Sequence, residues 1–483
     1  MPHQPVELGF ARFVKLSALI VKYISTRGEA EKLDFEGVTL TGLARDGGLY
    51  VPEELPQFSA STIRSFRGKP YADVAFEVIQ PFVAGSLSDA DLKAMLDATY
   101  GKAFRHPAVA PLVQLGANDW LLELFHGPTL AFKDFALQLL GRFFDHFTAK
   151  RGQKLTILGA TSGDTGSAAI EGCRGRDNVT IYMLHPKDRV SEVQRRQMTT
   201  VLEDNVVNIA VEGNFDDCQA LVKACFNDLD FRDRVGLTAV NSINWARVMA
   251  QIVYYFTSAA ALGAPDREIS YTVPTGNFGD IFAGYIAKGM GLPIRQLVIA
   301  TNKNDILART LQSGSYRADG VEATLSPSMD IQVSSNFERL MFDLAGRDAA
   351  EIRAYMDTLT AEKGFDLKQG HLEALRASFA ASQADDALTA KVMADLYKAS
   401  GYVADPHTAV GLASAAVCNT DPSVPMVTLS TAHPAKFGAA VTDATGVNPT
   451  LPAHMADLLS REERLITLAN DVTALQARIM QGM

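Results

Sequence analysis

Cysteine is scarce in this chain, with four residues in 483, at positions 173, 218, 225 and 418. No two of them form a CxxC pair or a metal-ligand spacing, and Cys218 and Cys225 share at most one helix face. The sequence therefore encodes neither a disulfide framework nor a cysteine-bound metal. Histidine is also sparse, and His126, His407 and His433 show no pattern of the HExxH kind, so no catalytic metal is expected. Positive charge is in deficit: 45 Lys and Arg stand against 55 Asp and Glu, a net charge of −10. That balance argues against a nucleic-acid partner, because a phosphate backbone rewards concentrated positive charge. Long apolar runs are missing too. The most apolar N-terminal stretch, Phe10 to Tyr23, is interrupted by Lys15 and has no small-residue cleavage site, so it reads as an amphipathic helix and no membrane span is expected. Residues 1–20 read as an extension ahead of the patterned chain. Internal repeats and low-complexity tracts are absent, and a reducing cytoplasm fits the cysteine usage.

What is present is an ordinary globular composition, 47% hydrophobic and 21% charged, in a chain long enough for about three domains. Residues 1–105 read as a mixed N-terminal unit. It holds a turn-rich stretch from Gly42 to Pro52 and a helix capped by Ser88 that runs to about Tyr100. From Pro111 the texture changes to short apolar strands separated by helices. Strands are expected at 120–125, 155–160, 179–184, 206–211, 269–273, 296–300 and 425–430. That alternation predicts α/β architecture in two layers with mostly parallel sheets. A large unit is expected over 106–150 and 265–483, with a small one over 151–264. Residues 338–400 read as mostly helical, and the tail from Pro452 as a charged helix on the surface.

Three segments carry the chemistry. In Leu124-Phe125-His126-Gly127-Pro128-Thr129-Leu130-Ala131-Phe132-Lys133-Asp134, Lys133 sits in an apolar frame. Such a setting keeps an amine neutral for long enough to attack a carbonyl. Thr161-Ser162-Gly163-Asp164-Thr165-Gly166 follows a buried strand and opens a helix, where free N–H groups and the helix dipole favour an anion. Gly276-Asn277-Phe278-Gly279-Asp280 repeats that arrangement. It lacks the Lys-Ser/Thr of a Walker loop and the spacing of a dinucleotide fingerprint, so a cup for a single phosphate is the natural reading. Two further pieces support them. Ser242 and Arg247 stand near a helix start, where arginine can grip a phosphate. Ser430 and Thr431 end a late strand, where ligands commonly sit. The ordered set suits a pyridoxal-phosphate enzyme acting on an anionic amino acid, with Lys133 forming the Schiff base.

Taken together, these pieces resemble the threonine synthase family of fold-type II pyridoxal-phosphate enzymes. The matching text is YISTRG, GLARDGGLYVP, LFHGPTLAFKD, GATSGDTGSAA, NSINWAR, PTGNFGD, DPHTAVGL and LSTAHPAKF, in family order from residue 23 to 437. The pattern is that of the long form, with an extra N-terminal domain. The resemblance implies conversion of O-phospho-L-homoserine and water to L-threonine and phosphate, by γ-elimination and β-addition of water. It implies that Lys133 carries the pyridoxal 5'-phosphate and moves protons as base and acid. Gly276, Asn277, Phe278, Gly279 and Asp280 would hold the cofactor phosphate, and Thr431 would face its ring nitrogen, with Ser430 as the alternative. Ser162, Gly163, Asp164 and Thr165 would meet the substrate carboxylate, and Ser242 with Arg247 the substrate phosphate. Many fold-type II enzymes have Asn where this chain has Asp164, so a direct contact of Asp164 with the cofactor is not implied. The rival readings are a threonine or serine dehydratase, which needs no second phosphate grip, and a non-catalytic sugar-phosphate or nucleotide binder, which leaves Lys133 unexplained. A monomer or homodimer is expected.

Overall fold

The computed structural model describes residues 20–161 and 163–482; the amphipathic stretch and extension read at the N terminus lie, up to residue 19, outside them. Two parallel sheets organise the chain. The larger has six strands in the order Phe379–Gln383, Ile294–Thr301, Ile269–Pro274, Met426–Ser430, Asp119–Glu123 and Leu112–Gln114. Only the last pair runs antiparallel. The smaller has five parallel strands in the order Ile466–Ala469, Val206–Glu212, Val179–Pro186, Leu155–Ala160 and Leu237–Thr238. Strands covered on both faces need apolar side chains throughout, and Met426–Ser430 is buried at all five positions.

The helix Trp245–Ala261 is the clearest case of sequence dictating position. It is apolar nearly all round, with fifteen of its seventeen residues buried. A helix with no polar face has to lie inside. Arg247 and Gln251 interrupt it one turn apart, and both face the cleft described below. The N-terminal unit packs onto this core. Its strands Tyr23–Ser25 and Tyr50–Pro52 pair antiparallel, and Tyr23 and Phe82 rest against Trp245. Thr26 donates to Glu338 at 2.6 Å, and Arg27 makes two bonds to the same carboxylate. This gives the YISTRG segment a role in joining the N-terminal unit to the rest.

Helix caps fall where residue chemistry puts them. Ser88 accepts from Asp91 N and opens the helix Asp89–Tyr100. Asn214 and Asp217 form a reciprocal capping box ahead of Phe215–Asn227. Two features lie outside the sequence reading. Residues 338–400 are mostly helical, but Phe379–Gln383 is the edge strand of the large sheet; its sequence, FAASQ, is only partly buried and lacks the apolar run of a central strand. The tail is not simply a surface helix of the large unit. Ile466–Ala469 pairs with Val206–Glu212, and the following helix Val472–Gln481 sends Leu475 and Ile479 into the small-sheet core. Within the range read as the large unit, 265–483, Ile466–Gln481 packs with the small sheet.

Candidate active site

The site lies at the carboxyl ends of strands from both sheets, where an open α/β fold leaves a crevice. The strand Asp119–Glu123 leads through a turn to the helix Lys133–Arg151, of which Lys133 is the first residue. The turn is pinned by Asp134, which accepts from Thr129 N at 2.8 Å and Thr129 Oγ1 at 2.7 Å. Backbone bonds fasten it to the end of the strand Met426–Ser430: Phe132 N donates to Thr431 O at 2.8 Å and His433 N to Leu130 O at 3.0 Å. Lysine and Thr431 are thus held in one frame.

Lys133 is 8% exposed. Its Nζ donates to Asp164 Oδ2 at 3.3 Å. Burial pulls its pKa below the ordinary lysine value; Asp164 opposes this, while the positive charges of Lys436 and Arg247 add to it. Asp164 heads the helix Asp164–Cys173. Its other oxygen, Oδ1, receives Lys436 Nζ at 2.9 Å and Gln194 Nε2 at 2.8 Å. Burial alone would raise its pKa, but Lys436 and Lys133, helped by Gln194, hold it far below the usual carboxylate range. The two helices that Lys133 and Asp164 begin cross in direct backbone contact. A Cβ at Gly141 would collide with the Gly172 carbonyl, and a Cβ at Gly172 with that of Leu137.

A cleft of about 730 Å³, counting its open mouth, runs from Lys133 to the helix Gly279–Gly289. Phe278 takes left-handed dihedrals, φ 63°, at the N-cap of that helix. The first turn of a helix has N–H groups with no intrahelical partner, and the first residues of this helix, Gly279, Asp280 and Ile281, line the cleft together with Gly276 to Phe278. A Cβ at Gly276 would sit 3.0 Å from Ser328 O and Ile331 Cδ1, so a side chain there has to push these neighbours aside. Three buried polar atoms of the lining lack a hydrogen-bond partner: Arg247 Nε, Gln251 Oε1 and Asp280 Oδ2. Buried polar groups are normally satisfied, so these point to a polar ligand. Asp280 Oδ1 accepts from Tyr254 at 2.6 Å and Tyr255 at 3.0 Å. Burial outweighs these bonds and pushes its carboxyl up to about 6. An apolar-framed lysine, a glycine cup at a helix start and orphaned polar atoms fit a phosphorylated aldehyde cofactor.

Residues 105–368 match the family model described as "Pyridoxal-phosphate dependent enzyme". Residues 22–100 match "Threonine synthase N terminus", and 408–479 match "Threonine synthase, C-terminal". A curated threonine synthase of Pseudomonas aeruginosa is 58% identical over 95% of this chain and 98% of its own. The chain belongs to the threonine synthase family. Its function is that of the family, the last step of threonine biosynthesis, its cofactor is pyridoxal phosphate, and it is a lyase of fold type II. The crystal structure titled PLP-bound threonine synthase from Brucella melitensis is 55% identical, with a TM-score of 0.94 over 96% of this chain and 99% of that one. The yeast threonine synthase structure is 39% identical, with a TM-score of 0.90 over 95% of this chain and 98% of that one.

Within this framework the expected residues distribute unevenly. Lys133, Asp164, Thr165, Ser242, Arg247, Gly276, Asn277, Phe278, Gly279, Asp280 and Thr431 all line the cleft. Ser162 lies outside the described residues. Gly163 is not in the lining; its N–H donates to Thr161 Oγ1 at 3.0 Å. The Asp164 carboxylate is occupied by the two lysines. Ser430, the alternative to Thr431, turns away to Thr408 Oγ1 at 3.0 Å. Gln251, Ser328 and His407 also line the cleft, and Lys436 and Gln194 hold Asp164 from behind; none of these was expected in the site. The buried interruptions of the Trp245–Ala261 helix were the available signal for Gln251. His407 accepts from Ser328 N at 3.2 Å while its other nitrogen bonds Asp405.

Proposed function

We propose that the substrate is O-phospho-L-homoserine, cleaved at Cγ and hydrated at Cβ to give L-threonine and inorganic phosphate. One C–O bond breaks and one forms, water supplies the oxygen, and no net oxidation occurs. The observation that carries this reading is Arg247. It is buried, no carboxylate pairs with it among the described residues, and its Nε lacks a partner. A buried cation without a counterion calls for an anionic ligand, and Ser242 lies beside it in the same lining. A dehydratase has no use for this second phosphate grip.

When bound, pyridoxal phosphate supplies an electron sink for negative charge beside the substrate's Cα. The chain's own residues do the rest. Lys133 Nζ takes the Cα proton and later delivers and removes protons along the side chain, a task for which burial and its positive neighbours favour the neutral amine. The N–H groups of Gly276 to Gly279 hold the cofactor phosphate, with Asp280 alongside, and Thr431 Oγ1 meets the ring nitrogen. Thr165, with the backbone N–H of Asp164 and the hydroxyl of Ser162, meets the substrate carboxylate. Ser242 and Arg247 bind the phosphate that departs. All four cysteines are buried and free, which agrees with a reducing cytoplasm. No described helix is long and apolar enough to cross a membrane. We place the enzyme in the cytoplasm as a monomer or homodimer, which sedimentation of the purified protein measures directly.

The deciding experiment measures phosphate and threonine released together from O-phospho-L-homoserine. Equimolar products, abolished by Lys133→Ala and reduced about a hundredfold or more in kcat/KM by Arg247→Met, are expected for a bidentate charged contact worth about 3 kcal/mol. Keto acid and ammonia in place of threonine, with Arg247→Met unaffected, would support a dehydratase instead.

A further inference from the structure

Lys436 is a second buried lysine beside the first. It sits in the short turn Pro434–Phe437 after the strand Met426–Ser430, and its side chain has no solvent exposure. Its Nζ donates to Thr129 O at 2.7 Å and to Asp164 Oδ1 at 2.9 Å. One carboxylate is therefore shared by two ammonium groups: Lys436 on Oδ1 and Lys133, 3.3 Å away, on Oδ2. Burying an ammonium is expensive, and an apolar residue would fill the space with less desolvation. The fold does not need a charge there to close a helix or a sheet.

The asymmetry between the two lysines supplies a reason. Lys436 has two close fixed acceptors, whereas Lys133 has one longer bond and opens onto the cleft. We propose that Lys436 is a positioning residue for the reaction: it keeps Asp164 as a permanent counterion, so that Lys133 can release its proton without stranding a buried carboxylate. This rests on Lys133 being the proton carrier of the proposed reaction. In the structure Asp164 is divided between two cations, and so cannot fully neutralise a protonated Lys133. When Lys133 turns neutral, Asp164 remains ionised and in place, with Gln194 and Lys436 still on Oδ1 and Ser328 3.4 Å from Oδ2. The other charged or titratable groups facing the pair are Arg247 and Asp280 near Lys133, and Asp134 and His433 near Lys436. Neither Asp134 nor Asp280 forms an ion pair with Lys436 among the described residues, so Asp164 is the carboxylate that Lys436 holds.

The test follows kcat for threonine formation by the cofactor-loaded enzyme from about pH 6 to 10. In Lys436→Met, Lys133 is left alone with Asp164 and holds its proton more tightly. The acid limb of kcat is expected to rise by about one pH unit, with kcat below the limb down about tenfold and KM changed less than about threefold. Lys436→Arg keeps the charge and the wild-type limb. Adding Asp164→Asn to Lys436→Met brings the limb back down, because Lys436 acts through that carboxylate. A Lys436→Met limb that coincides with wild type, with only thermal stability reduced, overturns the proposal. Should Lys436→Met fail to fold, Asp164→Asn alone decides: the limb falls by about one unit if the carboxylate restrains Lys133, and an unmoved limb overturns the proposal. Turnover surviving in Lys133→Ala would instead sink the underlying reading, whatever Lys436 does.

Discussion

At the scale of single residues, the site is governed by buried charges whose partners are deliberately incomplete. Asp280 shows the cost. Its folded pKa of about 6 lies above the ordinary aspartate value of ~3.9. The folded state therefore binds the Asp280 proton more tightly than the unfolded chain. Stability from this group is fully present below about pH 4 and is lost as pH rises through about 6. In cofactor-free protein, Asp280→Asn keeps an oxygen to accept from Tyr254 and Tyr255 and removes the titration. Its stability relative to wild type should improve by about 2 kcal/mol between pH 4.5 and pH 8, read by urea denaturation; a difference that does not vary with pH would show that Asp280 is not the group responsible. Arg247→Lys is predicted to raise KM for O-phospho-L-homoserine by about tenfold or more, because an ammonium cannot form the planar two-point contact. Cofactor retention, read by absorbance, should stay near wild type in that variant. Much of this layer is legible in sequence. Lys133 announces itself by its apolar neighbours, and the cup from Gly276 to Gly279 by its glycines after a strand. Lys436 does not, because a lysine in an Ala-His-Pro-Ala-Lys turn looks like a surface residue. Its burial comes from Thr129 and Asp164, hundreds of positions away in the chain.

At the scale of elements, the distance between Lys133 and Asp164 is set by two helices that each begin at a site residue. Gly141 and Gly172 lie eight residues into their helices, and their backbones touch. Gly172→Ala must push the helices apart. A loss of about 1–3 kcal/mol in unfolding free energy is expected, with kcat falling more than KM changes because the 3.3 Å Lys133–Asp164 contact opens. Calorimetry and steady-state kinetics on the same preparation check both; an active variant as stable as wild type would remove the role assigned to the crossing. Elements with strong local signals were readable: the cap at Ser88, and strands such as Leu155–Ala160, whose bounds coincide with the expectation. The strands Phe379–Gln383 and Ile466–Ala469 were not. Both are sheet edges with partly exposed sides, so neither a continuous apolar run nor a helical period marks them. Their pairing is decided by a neighbour already in place.

At the scale of the whole molecule, the two sheets are not built from consecutive halves of the chain. The C-terminal segment Ile466–Gln481 returns to cover the edge of the small sheet and to seal its core with Leu475 and Ile479. A chain ending at residue 465 would expose the strand Val206–Glu212 as a free edge and uncover that core. It is predicted to aggregate at micromolar concentration, or to unfold with a separate early transition, in size-exclusion and thermal measurements. A monodisperse truncation of wild-type stability would contradict this. The same interleaving affects the large sheet. Its strand Met426–Ser430 lies between Ile269–Pro274 and Asp119–Glu123, yet is made after both, and it brings Thr431 and Lys436 to Lys133. A nascent chain leaving the ribosome thus carries a sheet with its middle slot vacant until nearly nine-tenths of its length is synthesised. Cofactor capture has to wait for that strand, so any fragment stopped short of it lacks a complete site, and the cell cannot acquire partial activity from an unfinished copy.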